Sequence, residues 1–315
     1  MEPLVIREKP IPLTYQQVEL EWKYVASDPL TDALWLGESE LFCFQRRPGE
    51  ADLVAFVDGR PTVLVSGIGH ALQLGGRRES GLFLSSHKRL FRWNGGALDL
   101  VHQSDSSIVS FDVSVTGDVA CVLGDVPGRW RAIVVPAGGG APQPVDTKRV
   151  LRAVWCGRDL IVLYAERRQG LDTVGFTLWT QESPSRKLSA TSLALRAEVI
   201  SNGLDRVFVA GGVMGGGAGA WVFDPRDAPP WEPVSSVLPG GWPTFLGPET
   251  VAFGAAIGSG SGVVVANHSQ VRCFAVDGPT PMEITAAPVG NRIAWAQPEG
   301  SGEGVLRVCR LAIEG

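Results

Sequence analysis

FDVSVTGDVACVL (111–123) reads as a short apolar strand, a tight turn on Gly117 and a second strand rich in β-branched residues. The same form recurs six times. It is found in ALWLGESELFCF (33–44), ALQLGGRRESGLFL (71–84), AVWCGRDLIVLY (153–164), AEVISNGLDRVFVA (197–210), PTFLGPETVAFGA (243–255) and AAPVGNRIAWA (286–296). The turn glycines are Gly37, Gly76, Gly117, Gly157, Gly203, Gly247 and Gly290, spaced by 39, 41, 40, 46, 44 and 43 residues. A period of that length with several strands per unit is the mark of propeller blades. Glycine suits such turns because a two-strand turn commonly needs positive φ.

Each unit continues with a third strand, a second turn and a short fourth strand. The third strands are DLVAFV (52–57), RLFRW (89–93), WRAIVV (130–135), GFTLWT (175–180), AWVFD (220–224), VRCFAV (271–276) and VLRVCRLAI (305–313). Fourth strands include TVLVS (62–66), LDLVHQ (98–103), PVDT (144–147), KLSA (187–190), EPVSS (232–236) and MEIT (282–285). The seventh unit stops after three strands, and an unpaired strand, VELEWKYVAS (18–27), precedes the first unit. Pairing the two closes the ring and removes an exposed edge. The expected fold is therefore all-β: a single seven-bladed β-propeller over 1–315, its last blade closed by the N-terminal strand. It has an extension over 1–17, a closing strand at 18–27 and blades starting at about 28, 67, 105, 148, 192, 237 and 286.

These units resemble those of the WD40-like and TolB-like β-propeller superfamily over nearly the whole chain. No Trp-Asp dipeptide closes a third strand and no Gly-His opens the units in register. The resemblance therefore implies a divergent propeller and carries over no particular activity.

In a propeller, the links between second and third strands and between blades share one face. Several of these stretches are long: QRRPGEAD (45–52), AERRQGLDTV (165–174), AGGVMGGGAG (210–219), AAIGSGSGVVVANHSQ (255–270) and QPEGSGEG (297–304). Read as loops, they make that face the place for recognition. Arg46, Arg47, Lys88, Arg89, Arg129, Arg167 and Arg168 give it a basic side, suited to a protein partner with an acidic patch. Trp242, in LPGGWP between units, is the candidate interface anchor. Most other tryptophans are expected in the core, with Trp231 in APPWEP as a second exposed candidate.

Catalytic patterns are sparse. His70, His87, His102 and His268 stand in no metal-binding spacing, and GSGSG (258–262) has glycine where a nucleophile elbow needs serine. The glycine-rich loops follow no phosphate-binding pattern. Asp112, Asp118, Glu198, Asn202 and Asn291 are the carboxylates and amides that a calcium site in a lactonase-like propeller would have to draw on. Cys43, Cys121, Cys156, Cys273 and Cys309 are odd in number, widely spaced and mid-strand, as buried thiols of a reducing compartment would be.

With 44% hydrophobic and 19% charged residues the chain can bury a core, and a net charge of −5 argues against nucleic-acid binding. No apolar run is long enough for a membrane helix, and 1–12 lacks the pattern of a secretory signal. Together these features lead to the expectation of a non-catalytic, cytoplasmic scaffold or regulatory, inhibitory subunit that needs no cofactor or metal. The alternatives are a small-molecule or metal-dependent, lactonase-like propeller hydrolase, and an extracytoplasmic propeller of the TolB-like kind.

Overall fold

The computed structural model describes residues 16–69, 71–126, 129–145, 149–168, 171–179, 186–193, 198–212, 218–227, 233–299 and 302–313. Among these residues there are strands and no helix, arranged as seven sheets: each has four consecutive blade strands, except that the last has three and an N-terminal strand and the sixth gains Gln16–Gln17 as a fifth strand. This is the seven-bladed β-propeller read from the repeats. By the density of its contacts the chain divides into two compact units. Of the described residues, one includes Gly75–Trp93 and Leu98–Leu238, the other residues 16–74, Asn94–Ala97 and those from Pro239 onward.

The first unit holds most of blade 2 (Ala71–Arg77, Gly81–Ser86, Arg89–Trp93, Leu98–Gln103) and blade 3 (Ile108–Val113, Val119–Leu123, Arg131–Val135, Gln143–Pro144). It also holds blade 4 (Val150–Cys156, Asp159–Arg168, Leu171–Trp179, Arg186–Leu193) and blade 5 (Glu198–Ser201, Val207–Gly212, Ala218–Phe223, Pro233–Ser235). Every residue of Val119–Leu123 is buried. A strand covered on both faces needs apolar side chains on both, which is why this segment reads as a continuous run rather than an alternation. Trp155 and Trp179 pack with Val122, Val134 and Val162, while Trp221 fills the next layer with Val154, Ile161 and Val209.

The second unit holds blade 1 (Leu30–Trp35, Glu40–Arg47, Glu50–Val57, Arg60–Gly69) and blade 6 (Thr244–Phe245, Val251–Ile257, Gly260–Ala266, Val271–Val276). Blade 7 comprises Thr285–Ala286, Arg292–Glu299, Glu303–Arg310 and the N-terminal strand Glu19–Ala26. That strand runs antiparallel to Glu303–Arg310, from Glu19 opposite Arg310 to Ala26 opposite Gly304, with a bulge between Leu20 and Trp22. Gln16–Gln17 adds a second, parallel pairing, to Phe274 and Ala275 of blade 6. Glu21 fastens the closure: it accepts from Arg292 Nε at 2.7 Å and lies 2.7 Å from Arg310 Nη2.

Blade 6 corrects the strand assignment made from sequence. Its third strand is Gly260–Ala266, which lies inside the stretch expected as a loop; 271–276 is its fourth strand, and Thr285 opens blade 7. The glycines that looked like loop are required by packing. Gly258 has φ 60°, and a Cβ on Gly262 would come within 2.6 Å of the Ile257 side chain and 2.8 Å of the Phe274 carbonyl. The other long stretches are likewise extended hairpins. Arg47 pairs with Glu50 across a two-residue turn, Arg168 with Leu171, Gly212 with Ala218 and Glu299 with Glu303.

Candidate functional site

The first strand of each blade carries a position five residues before its turn glycine. In five of the seven blades that position is polar: Asp32, Asp112, Arg152, Glu198 and Thr285. Asp112 Oδ2 accepts from the Trp155 backbone N at 2.7 Å, and Thr285 Oγ1 accepts from the Trp35 backbone N at 3.1 Å. The two bonds are equivalent, since each tryptophan stands two residues before its own turn glycine. A side chain on one first strand thus satisfies the backbone of the next.

In the first unit this position gathers charge. Arg77 Nε donates to the Val113 carbonyl at 2.5 Å, and its Nη2 lies 3.5 Å from Asp112. Gly203, at φ 81°, lies directly against that guanidinium, where a Cβ would overlap it. Glu198 is half-buried, and burial pushes its carboxyl above the usual range, against the opposing pull of Arg152.

In the second unit Asp32 stands on a bulge between Thr31 and Leu34, at φ 55°. Burial raises its carboxyl too, and Thr31 and Arg46 partly offset this.

The residues expected at the basic side divide between the units. Arg46 is held in its own blade, donating to Thr31 Oγ1 at 2.7 Å and to Asp32 at 3.0 Å. Arg47 is paired with Asp52 at 2.6 Å and lies 3.5 Å from Glu50. Trp242 is half-buried: its N donates to the Met282 carbonyl at 2.6 Å and its carbonyl accepts from Ile284. In the other unit Lys88 donates to the Asp105 carbonyl at 2.7 Å, Arg89 to Gln103 at 2.9 Å, and Arg129 is exposed. Arg167 and Arg168 end a strand, opposite Asp172 and Leu171. His70 and Trp231 lie outside the described residues. The acidic partners Asp32 and Asp52 were missed in sequence because they sit 14 and 5 residues away along the chain.

Among the described residues no group of three or more His, Cys, Asp and Glu side chains could hold a metal ion. Asp118 and Asn202 staple their own turns instead: Asp118 accepts from Thr116 and the Ala137 N, Asn202 from the N of residues 204, 205 and 206. Burial pushes the thiols of Cys121, Cys156 and Cys309 up to about 12, which keeps them protonated at neutral pH. Serine, histidine and aspartate meet at Ser107, which donates to Asp125 at 2.8 Å and lies 3.4 Å from His87 Nδ1. The hydroxyl goes straight to the carboxylate; a hydrolytic triad places the imidazole between them.

No family model and no curated protein matches the chain. Solved structures do. The β-propeller domain of the Trilobed protease from Pyrococcus furiosus, described as having an open velcro topology, matches at TM-score 0.66 and 10% identity, over 87% of this chain and 93% of that one. Acylaminoacyl peptidase from Pyrococcus horikoshii matches at TM-score 0.65 and 12% identity, over 90% of this chain, which spans 51% of that one. The β-propeller domain of Cps50 (Swd1) from Myceliophteria thermophila matches at TM-score 0.67 and 9% identity, over 94% and 100%.

Two of these three propellers belong to peptidases, and this overturns two expectations: the non-catalytic scaffold or regulatory subunit, and the chain's separation from enzymes. The hydrolase alternative agrees better with the neighbours. There is a physical reason for the error. The interaction module was inferred from long recognition loops, and most of the described residues in those stretches are strand. At 9–12% identity the likeness itself is one of fold. The chain has a β-propeller fold, as its repeats implied.

Proposed function

We propose that this chain is the propeller of a hydrolase acting on peptide or aminoacyl bonds. The observation that carries the proposal is the match of 90% of the chain to about half of an acylaminoacyl peptidase, at TM-score 0.65. Of the polar first-strand positions, Arg152 and Glu198 are half-buried and are the ones this reading assigns to the substrate. Arg152 offers a cation to a carbonyl or carboxylate, and Glu198, raised by burial, offers a carboxyl that can accept from or donate to an amide. Binding and orienting the substrate are the steps these groups can supply.

The test is hydrolysis of N-acetyl-alanine p-nitroanilide and of unblocked alanine p-nitroanilide by the full gene product. Nitroaniline release is expected, with Glu198→Gln or Arg152→Ala raising KM about tenfold and changing kcat less. A protein that releases nothing from any aminoacyl anilide would overturn the proposal.

A further inference from the structure

Blade 6 hands over to blade 7 at Gly278, whose φ is 98°. Two side chains of blade 7 converge there. Gln297, on the second strand, is 4% exposed. Its Oε1 accepts from Trp295 Nε1 at 3.1 Å. An indole nitrogen can only donate, so this bond orients the carboxamide and leaves Nε2 on the side of Gly278. That Nε2 is buried and has no hydrogen-bond partner among the described residues. Buried donors are rarely left so in folded proteins, and each instance calls for an explanation.

Arg307 lies opposite Trp295 in the strand register and brings its guanidinium to the same place. The point where a Cβ of residue 278 would stand is 3.8 Å from Gln297 Nε2 and 4.0 Å from Arg307 Nη2. Glycine keeps that point open. Both groups facing it are donors, and one carries a positive charge.

We infer that this notch binds a small oxyanion, the carboxylate or phosphate group of a ligand. A lone water would satisfy the amide without using the cation, whereas an oxyanion takes hydrogen bonds from both. Arginine has five N–H donors in a planar fork matched to such groups, so Arg307 can keep its other contacts and still contribute. The inference rests on contacts within blade 7 and its link from blade 6, and is independent of the hydrolase proposal.

The experiment uses the full protein and two probes, inorganic phosphate and acetate, each against chloride at constant ionic strength. Calorimetry and thermal melts are expected to show saturable binding and a rise in Tm. Gln297→Glu keeps the acceptor for Trp295 and the side-chain shape but replaces the orphan donor with an anion; binding should weaken by about tenfold or more. Arg307→Lys keeps the charge, loses the fork and should also weaken binding. Response to phosphate alone assigns a phosphoryl ligand, and response to both probes extends the notch to carboxylates. If neither anion binds the wild type, or if Gln297→Glu binds as tightly, the inference fails and the donor belongs to a buried water.

Discussion

Glu198 shows how a single first-strand residue can make stability depend on pH. Burial raises its folded pKa above the ordinary 4.5, and Arg152 opposes this only in part. Between that ordinary value and the raised one, the folded protein holds the proton that the unfolded chain has released. Stability is therefore greatest at low pH in this window and declines as pH rises through the folded pKa. Glu198→Gln cannot ionise, so its Tm relative to wild type should climb as the pH rises above the ordinary 4.5. A flat difference would show that the carboxylate is solvated or fully compensated. At this scale four of the seven turn glycines were legible and take positive φ in their turns, Gly117, Gly157, Gly203 and Gly290, whereas Gly76 lies inside the strand Ala71–Arg77 and the turn of that blade follows it. The polar position five residues earlier went unread as a set, because Asp, Arg, Glu and Thr share no chemistry until the strands are aligned.

Strands and their links obey a different constraint, the closeness of one backbone to another. In blade 6, Gly240 N donates to the Gly254 carbonyl at 2.7 Å, and the following link lays the Pro281 carbonyl where a Cβ of Gly254 would be. Gly254→Ala should cost about 1–3 kcal/mol, because rigid backbone rather than a flexible side chain must yield. The check is a shift of the urea midpoint without loss of cooperativity. The same closeness explains why this blade was misread. GSGSGVVVA combines loop-like glycines with a β-branched run, and composition alone favours a loop where geometry demands small residues. Blades 1 to 5 were easier, since their strands alternate with unambiguous turns such as Asp58–Gly59 and Asn94–Gly95.

Across the whole molecule the decisive feature is that the N-terminal strand Glu19–Ala26 completes the last blade. The spare strand and the three-stranded final unit could be counted in the sequence, so the closure was legible; the clamp that fastens it was not, because Glu21 and its arginines lie at opposite ends of the chain. Glu21→Gln removes a carboxylate that serves both Arg292 and Arg310. With Arg310 more than half exposed, its share is discounted for solvent, and the total cost should be about 1–3 kcal/mol. Hydrogen exchange should quicken along Glu303–Arg310 before it does in blades 3 and 4. Unchanged protection there would separate the ion pairs from the closure.

During synthesis, the same arrangement imposes a wait. Glu303–Arg310 is translated long after Glu19–Ala26, roughly tens of seconds later at ordinary elongation rates. For that interval Trp22 and Tyr24 can reach Phe56 of blade 1, but the backbone of their strand has no antiparallel partner. Folding of such non-local topology is slow, and a nascent chain holding out an aromatic strand is a natural client for chaperones.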